Sequence, residues 1–153
     1  MPIRITNSQS KIAGEILDFS SAAGSTQNLN TTMTNAAGLQ LQFEADRTGD
    51  VLLIWRGYIT NSCSSNVKVD VAMRLLNNND MPIAGTTVDV HTFQKPGSTV
   101  GNGIAQMVTA QWLVSVTDGS SYTYKLQVKK TTTTNSIVID YNNQVTTFEA
   151  IGL

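Results

Sequence analysis

TGDVLLIWRGYIT, residues 48–60, is the stretch of sequence that decides the fold of this protein. A Thr-Gly-Asp turn precedes an apolar run from Val51 to Trp55 in which no polar residue alternates. A strand of an antiparallel sheet that borders water needs only one apolar face. The run therefore predicts a central strand with both faces covered, one by the domain core and one by further protein. The further protein is a partner chain or, alternatively, a loop of the same chain that covers the sheet.

Strands with one apolar face surround this run in the sequence. Residues 39–45, 67–75 and 122–129 alternate between apolar and polar side chains, a period of two that is typical of half-buried strands. Turn signals rich in Gly, Asn and Asp separate them from other extended segments. Those further segments are 15–19, 81–84, 86–91, 104–116, 137–141 and 145–153. The pattern predicts an all-β protein, an antiparallel two-sheet sandwich or jelly roll.

Length and composition agree with one globular domain. The chain has 153 residues, of which 41% are hydrophobic and 14% charged, with a net charge of −1. This content is too apolar for a disordered chain and too neutral for binding nucleic acid by bulk charge. We expect residues 1–38, which are polar and small, to form an N-terminal arm with a first edge segment, and residues 39–153 to form the jelly roll.

Cysteine and histidine usage excludes several classes of site. Cys63 is the single cysteine and His91 the single histidine, so a disulfide framework, a multi-cysteine metal site and any two-histidine motif are ruled out. No stretch reaches the ~18 apolar residues of a membrane span. The N-terminus also lacks the apolar region of a signal peptide. We expect no metal, no cofactor and no membrane partner, and synthesis in a cytoplasm.

The candidates for catalysis are weak. A Ser-His-Asp triad would have to use His91, which follows Asp89 in a predicted strand without a nucleophile elbow. Residues 97–103 are rich in glycine, but no Lys-Ser/Thr pair follows, so a phosphate-binding loop is rejected. Four aspartates could in principle join a Ca²⁺ site, yet their spacing does not support one. These are Asp70, Asp80, Asp89 and Asp140. We expect the protein not to be an enzyme.

Three stretches, read in order, resemble the jelly roll of tumour necrosis factor and the complement globular heads. TGDVLLIWRGYIT (48–60) is similar to the central strand of that family, and VKVDVAMRLLNNNDMPIA (67–84) to its next hairpin. AQWLVSVTDGSSYTYKLQV (110–128) is similar to the following strand, turn and strand. The end of the chain, TTFEAIGL (146–153), resembles the closing strand. Similar domains occur in trimeric phage virion proteins, and this cysteine-poor chain most resembles those.

The resemblance implies a homotrimer in which one sheet packs around a three-fold axis. It assigns to the trimer interface alternate residues of three strands: Leu53, Trp55, Gln111, Leu113, Ile151 and Leu153. The same assignment turns the intervening residues toward the core: Leu52, Ile54, Tyr58, Trp112, Val114, Val116 and Phe148.

The function expected from this resemblance is structural. We expect a homotrimeric decoration or cement protein of a virion, displayed on the outer surface of an assembled phage capsid and bound to the major capsid protein through the N-terminal arm. The alternative is a receptor- or glycan-binding knob of a phage tail or fibre. Neither function involves nucleic acid.

Overall fold

Ten β-strands make up the described part of the chain, and that part contains no helix. The computed structural model describes residues 14–22, 26–62, 70–91, 104–131, 136–140 and 145–153. The strands are β1 (Ile16–Ala22), β2 (Gln27–Asn28), β3 (Thr34–Glu44), β4 (Gly49–Ser62), β5 (Asp70–Leu76), β6 (Val88–His91), β7 (Ile104–Val116), β8 (Ser121–Lys130), β9 (Ser136–Asp140) and β10 (Thr146–Gly152).

The strands form two antiparallel sheets. In the six-stranded sheet, one edge of β4 pairs with β7. The other edge of β4 pairs with both β10 and β9; β10 pairs in turn with β1, and β9 with β2. The four-stranded sheet has the order β3-β8-β5-β6. Because the chain crosses between the sheets at six of the nine steps from strand to strand, the arrangement is a jelly roll. The predicted all-β, antiparallel two-sheet architecture is confirmed.

The core between the sheets is built from alternate residues of the long strands. Trp55, Phe148 and Leu126 are fully buried there, and the ring of Trp112 packs edge-on against Phe148 with centroids 6.3 Å apart. The indole N–H of Trp112 donates to the carbonyl of Thr86 at 2.6 Å, which joins β7 to the segment before β6. A buried indole N–H needs such an acceptor.

A second aromatic group in the sandwich joins β3 to β8. The rings of Tyr122 and Tyr124 are stacked 6.0 Å apart at an interplanar angle of 6°, and Phe43 lies about as close to each. Burial, together with the neighbouring Tyr122 hydroxyl, raises the pKa of Tyr124 from 10.0 to about 12. The ring is therefore kept neutral in the folded state well above the pH at which a free tyrosine ionises.

The turns follow the chemistry of their sequences. Gly119 has a φ of 72° in the turn between β7 and β8, a conformation that glycine adopts without strain. After β5, the side chain of Asn77 accepts hydrogen bonds from the backbone N–H groups of Asn79 and Met81. Asp80 in this turn has a φ of 59° and pairs with Lys125 at 2.7 Å. Both turns had been expected from their Gly and Asn content.

The N-terminal third contributes more to the sheets than the sequence indicated. Residues 1–38 were expected to form an arm with a first edge segment, but β1 pairs with β10, β2 pairs with β9, and β3 begins at Thr34. The predicted boundary between residues 38 and 39 falls inside β3, so the sandwich begins before it. The reason is physical: these residues are held in the strand by backbone pairing with β8, where Thr34 and Asn35 lie opposite Val128 and Gln127, and such pairing does not depend on an apolar pattern.

Candidate functional site

The face of the six-stranded sheet that points away from the core is the candidate functional site. Directly paired residues of neighbouring strands lie on the same face of a sheet. Leu53 of β4 pairs with Trp112 of β7 and with Ala150 of β10, and all three are buried in the core. The side chains that alternate with these three along each strand therefore point away from the core. We call the surface that they form the outer face. Its residues are Ile16, Phe19, Leu52, Ile54, Arg56, Tyr58, Met107, Thr109, Gln111, Leu113, Thr147, Glu149 and Ile151.

This register corrects the predicted orientation of the central strand. Leu53 and Trp55 were assigned to the trimer interface, but both are completely buried in the core of the single chain, so the assignment is wrong. Leu52 and Tyr58 were assigned to the core and instead are half-buried on the outer face; Ile54 shares their parity but is itself buried, with 4% of its surface exposed. The parity of Val51 to Trp55 could not be read because every position in the run is apolar. The pairing of Trp55 with the buried Phe148 decides it.

The other four residues assigned to the interface lie on the outer face or just beyond its end. Gln111 and Leu113 of β7 are exposed on the outer face, and Ile151 of β10 is half-buried there. Leu153, just beyond β10, is also exposed. Their predicted inward neighbours Trp112, Val116 and Phe148 are buried, and Val114 packs against the core. Their role as an interface stays a prediction.

Large apolar side chains are concentrated at one end of the outer face. We call this group the apolar patch; its members are Ile16, Phe19, Leu52, Ile54, Leu113 and Ile151. Leu113 is 63% exposed, and Ile16 and Phe19 are more than half exposed. Of seven exposed large hydrophobic residues in the described chain, four lie on the outer face and Leu153 lies at its end. Exposed apolar surfaces are candidate sites for contact with another protein, a membrane or a ligand.

A row of polar side chains crosses the middle of the same face. We call it the polar belt; its members are Arg56, Thr109, Gln111, Thr147 and Glu149. Nη1 of Arg56 on β4 donates to Oε1 of Glu149 on β10, forming an ion pair. Glu149 is only 8% exposed, whereas the Arg56 side chain is 45% exposed. The carboxylate is thus enclosed beside the apolar patch, and the guanidinium extends to the surface.

The outward face of the four-stranded sheet has the opposite character. Its side chains are polar and hydrogen-bonded to one another: Gln127 donates to Asn35 at 3.0 Å and accepts from Arg74 at 2.9 Å. Gln40 and Gln42 are exposed on the same face. A polar face of this kind is suited to contact with water. The contrast between the two sheets shows that the apolar patch is a property of one face and not of the whole surface.

A carboxylate connects β1 and β3, which are edge strands of the two different sheets. A bulge in β1 between Ile16 and Asp18 changes the register against β10. The side chain of Asp18 then accepts a hydrogen bond from the backbone N–H of Gln42 on β3. An inward-pointing charge on an edge strand prevents pairing with another chain at that edge. Association through this edge is therefore disfavoured, in contrast to the outer face.

The four aspartates considered for chemistry lie on three strands and one turn. Asp80 is paired with Lys125, Asp70 and Asp89 lie on β5 and β6, and Asp140 lies in the other sheet. Within the described ranges no three His, Cys, Asp or Glu residues are grouped so as to hold a metal ion. Cys63 and the glycine-rich loop 97–103 lie outside the described residues.

One shallow cleft lies at the end of the sandwich beside the C-terminal strand. Leu17, Asp46 and Gly152 contribute to its lining. The guanidinium of Arg47, also in the lining, donates to the carbonyl of Leu153 at 2.8 Å. This arginine ties the end of β10 to the turn before β4, which is a structural role. In the described part of the chain no helix is long and apolar enough to cross a membrane.

Comparison with known proteins identifies the fold. No protein-family model and no curated protein matches the sequence. Among solved structures, Eiger TNF from S. frugiperda is similar, with a TM-score of 0.52 and 10% sequence identity over 91% of this chain and 94% of that chain. The similarity covers almost all of both chains, so the fold is a TNF-like jelly roll.

Proposed function

We propose that this protein is a non-enzymatic structural protein of a virus particle, a homotrimer that decorates the outer surface of an assembled phage capsid. The observation that carries the proposal is the apolar patch on the outer face of the six-stranded sheet. The patch lies opposite a sheet face that is polar, so the chain has one surface for association and one for solvent. This is the design of a subunit in an assembly.

A second copy of the same chain is the occupant that best fits the outer face. Burial of one large apolar side chain stabilises an interface by about 1.5–3 kcal/mol, and Leu113, Ile16 and Phe19 each keep more than half of that gain unused in the single chain. Interfaces of permanent oligomers are more hydrophobic than those of transient complexes. Closed ring symmetry buries the patch of every copy. The TNF-like fold supports three as the number of copies.

The surface outside the patch suits dense repetition on a capsid. Only 14% of the residues are charged, and the net charge is −1. Neighbouring copies with few net charges repel one another weakly. We assign contact with the major capsid protein to the N-terminal arm predicted within residues 1–38. The part of this arm before residue 14 lies outside the described residues.

Heat stability of the capsid tests the function. A protein that binds only the assembled shell stabilises it by mass action. Particles that carry the protein should therefore lose their genome at a higher temperature than particles from which it has been removed, and adding back the purified protein should restore the difference. A chain that begins at residue 14 is the matched variant, and we expect it to trimerise without restoring stability.

Two results would contradict the capsid assignment. One is equal heat stability with and without the protein. The other is antibody labelling at tail or fibre tips in electron micrographs, which would instead support the receptor- or glycan-binding knob considered from the sequence. Either result would leave the homotrimer as a separate question, decided by sedimentation.

A further inference from the structure

We propose that residues 1–13 cross the cleft at the end of the sandwich and that the first six of them add a strand to the free edge of β7 of the same chain. Residues 1–13 lie outside the described part of the chain. The inference goes beyond the proposed function, because it concerns the free protein and holds for a single chain with or without a capsid.

The binding site is the edge of β7 that faces away from β4. All 13 residues of β7, Ile104–Val116, pair with β4 without a register shift, and no other described strand pairs with β7. In an antiparallel pair, the backbone N–H and C=O groups of alternate residues point away from the partner strand. β7 therefore presents a long row of backbone donors and acceptors on the side opposite β4, which is the arrangement that accepts an added strand.

β7 lacks the features that protect the other edges of the two sheets. Edge strands are commonly protected by short length, by charged residues or proline, or by bulges. β2 and β6 are only two and four residues long, β1 has a bulge, and Asp18 connects β1 with β3. β7 contains no charged residue and no proline, and its pairing with β4 has no bulge. An edge of this kind pairs with other chains unless a segment covers it.

The N-terminal segment joins the sheet at the end where β7 finishes. The backbone N–H of Gly14 donates to the carbonyl of Gly152, the last residue of β10, at 2.8 Å. Val116, the last residue of β7, pairs with Gly49, the first residue of β4, at the same end of the sheet. The segment before Gly14 therefore starts beside the end of β7 and not at the opposite end of the sandwich.

The segment is long enough to reach the free edge and to pair with it. Four strand spacings of ~4.8 Å, from β1 over β10 and β4 to the far side of β7, amount to ~19 Å. Residues 7–13 span up to ~23 Å when extended, so residues 1–6 remain for pairing.

The cleft marks the route across the end of the sandwich. Its lining includes Leu17 of β1, Gly152 of β10, Asp50 of β4 and Val116 of β7. The cleft therefore touches every strand that lies between Gly14 and the free edge. A chain segment laid along it meets both apolar and polar side chains.

The charges of the cleft and of the segment are complementary. The lining contains three carboxylates and one guanidinium, which belong to Glu15, Asp46, Asp50 and Arg47. Residues 1–13 contain two basic residues and no acidic one. Lys11 belongs to the part of the segment that crosses the cleft, where the excess of negative charge attracts its ammonium group.

The first six residues have the pattern of a strand. In MPIRIT (1–6), Ile3 and Ile5 alternate with polar residues, and β-branched residues such as isoleucine favour strands. The segment arrives beside Val116 with its C-terminal end, so residues 1–6 and β7 run in the same direction. The added strand is therefore parallel to β7 and lies alongside residues 111–116.

Hydrogen exchange of the full chain tests the proposal, with the amides of β7 followed one by one. Ile5→Pro removes a backbone donor and a β-branched side chain from the added strand. We expect the β7 amides that point away from β4 to exchange at least about tenfold faster in this variant, while the amides shared by β5 and β8 keep their rates. Ser8→Pro is the matched control, because it introduces the same residue outside the paired part of the segment and should leave β7 protected.

Reversal of the charge at Lys11 tests the route through the cleft. With Lys11→Glu we expect the same β7 amides to exchange about threefold faster at ~0.1 M salt, and the difference from the unmodified chain to shrink at ~1 M salt. Lys129→Glu on β8 makes the same change of charge away from the cleft and should leave the exchange of β7 unchanged.

A distance measurement assigns the added strand to its own chain. Spin labels are attached to Pro2→Cys and Gln111→Cys in a Cys63→Ser background, and the doubly labelled chains are diluted with unlabelled chains so that only distances within one chain are measured. Neighbouring strands are ~4.8 Å apart, so we expect one narrow distance below ~2 nm, most of which is the length of the two labels.

Three results would overturn the proposal. Rapid exchange of the outward β7 amides in the unmodified chain would show that the edge is open. Equal protection of these amides in the Ile5→Pro variant would show that residues 1–6 do not cover it. A broad or long distance within the chain would place residues 1–6 elsewhere, including on another copy. The proposed function is decided separately, by capsid heat stability and by sedimentation.

Discussion

Gly57 is the residue of β4 where a single methyl group matters most. A Cβ at this position would lie 2.5 Å from Cζ2 and 2.8 Å from Cη2 of Trp55, and 3.0 Å from Cγ2 of Thr146. Trp55 is completely buried and its ring is rigid, so neither the indole nor the backbone has room to move aside. The glycine is therefore needed for close packing of the indole against β4.

We predict that Gly57→Ala lowers the free energy of unfolding by about 1–3 kcal/mol, the usual effect of overpacking. Gly49→Ala in the same strand is the matched control, because nothing lies within 4 Å of its added Cβ. Urea unfolding at one protein concentration compares the two variants. Equal midpoints for both would show that the indole does not lie against Gly57.

The raised pKa of Tyr124 predicts how the free energy of unfolding changes at alkaline pH. Its pKa is about 12 in the folded chain and near 10 in the unfolded chain, first because of burial and then because of Tyr122. Between these values the unfolded state releases the proton and the folded state retains it, so stability falls as the pH rises from about 10 to about 12. Below pH 10 the group has no effect on the slope.

Replacement of Tyr124 by Phe should remove part of this dependence. The difference in unfolding free energy between the original chain and Tyr124→Phe should be constant up to about pH 10 and then shift in favour of the variant. Lysines titrate in the same range, but they are common to both proteins and cancel in the comparison. A difference that stays constant to pH 12 would contradict the raised pKa.

At the scale of the element, β4 shows which part of a strand can be predicted from sequence. The run Val51–Trp55 indicated a strand with apolar side chains on both faces, and that prediction is confirmed by Leu53 inside and Leu52 outside. The sequence did not indicate which alternate residues of this run face the core, because a uniformly apolar run contains no polar residue to mark the outer face. The adjacent β7 carries Gln111 and Ser115 as such markers, and the orientation that the resemblance implied for it agrees with the burial of Trp112 and Val116.

The parity of β4 can be tested with a pair of adjacent substitutions. Leu53→Ala should lower the free energy of unfolding by about 2–5 kcal/mol, since it opens a cavity in the core. Leu52→Ala should cost the fold less and should weaken self-association instead, because Leu52 is half-buried on the outer face. Urea unfolding and sedimentation of both variants separate the two effects. The reverse order of effects would contradict the register of β4 with β10.

Edge elements were the least predictable. Residues 27–28 and 34–35 lack alternating apolar side chains, yet they pair with β9 and β8. Their strand structure comes from hydrogen bonds to partners distant in the sequence, such as Val128 for Thr34. Single-sequence patterns carry no information about partners of this kind. The central strands were predictable because side-chain burial, which leaves a pattern, determines them.

At the scale of the whole molecule, the sequence predicted part of the candidate site. The extra apolar face of the central strand indicated that something covers it, and the structure places that face on the outside of the six-stranded sheet. The ion pair between Arg56 and Glu149 was not predicted, because the two residues are 93 positions apart and come together only through the pairing of β4 with β10. Nothing in their local sequence indicates a partner.

The different outward faces of the two sheets account for the low content of charged residues. The four-stranded sheet presents hydrogen-bonded amides such as Gln127 and Asn35 to solvent, and the six-stranded sheet carries the apolar patch that we propose is covered by a second copy. Neither surface needs many charges. The composition of the chain, the patterns of its strands and the packing of its sheets therefore agree with one another.

Sedimentation of the purified chain tests the central claim, self-association through the outer face, most directly. The unmodified chain should sediment at about 50 kDa, three times the chain mass of 16.5 kDa. Leu113→Asp should sediment as a folded monomer with an unchanged circular dichroism spectrum, since Leu113 is exposed in the single chain. Gln40→Asp on the polar sheet should remain trimeric. A monomeric unmodified chain, or a Leu113→Asp variant that stays trimeric, would contradict the account.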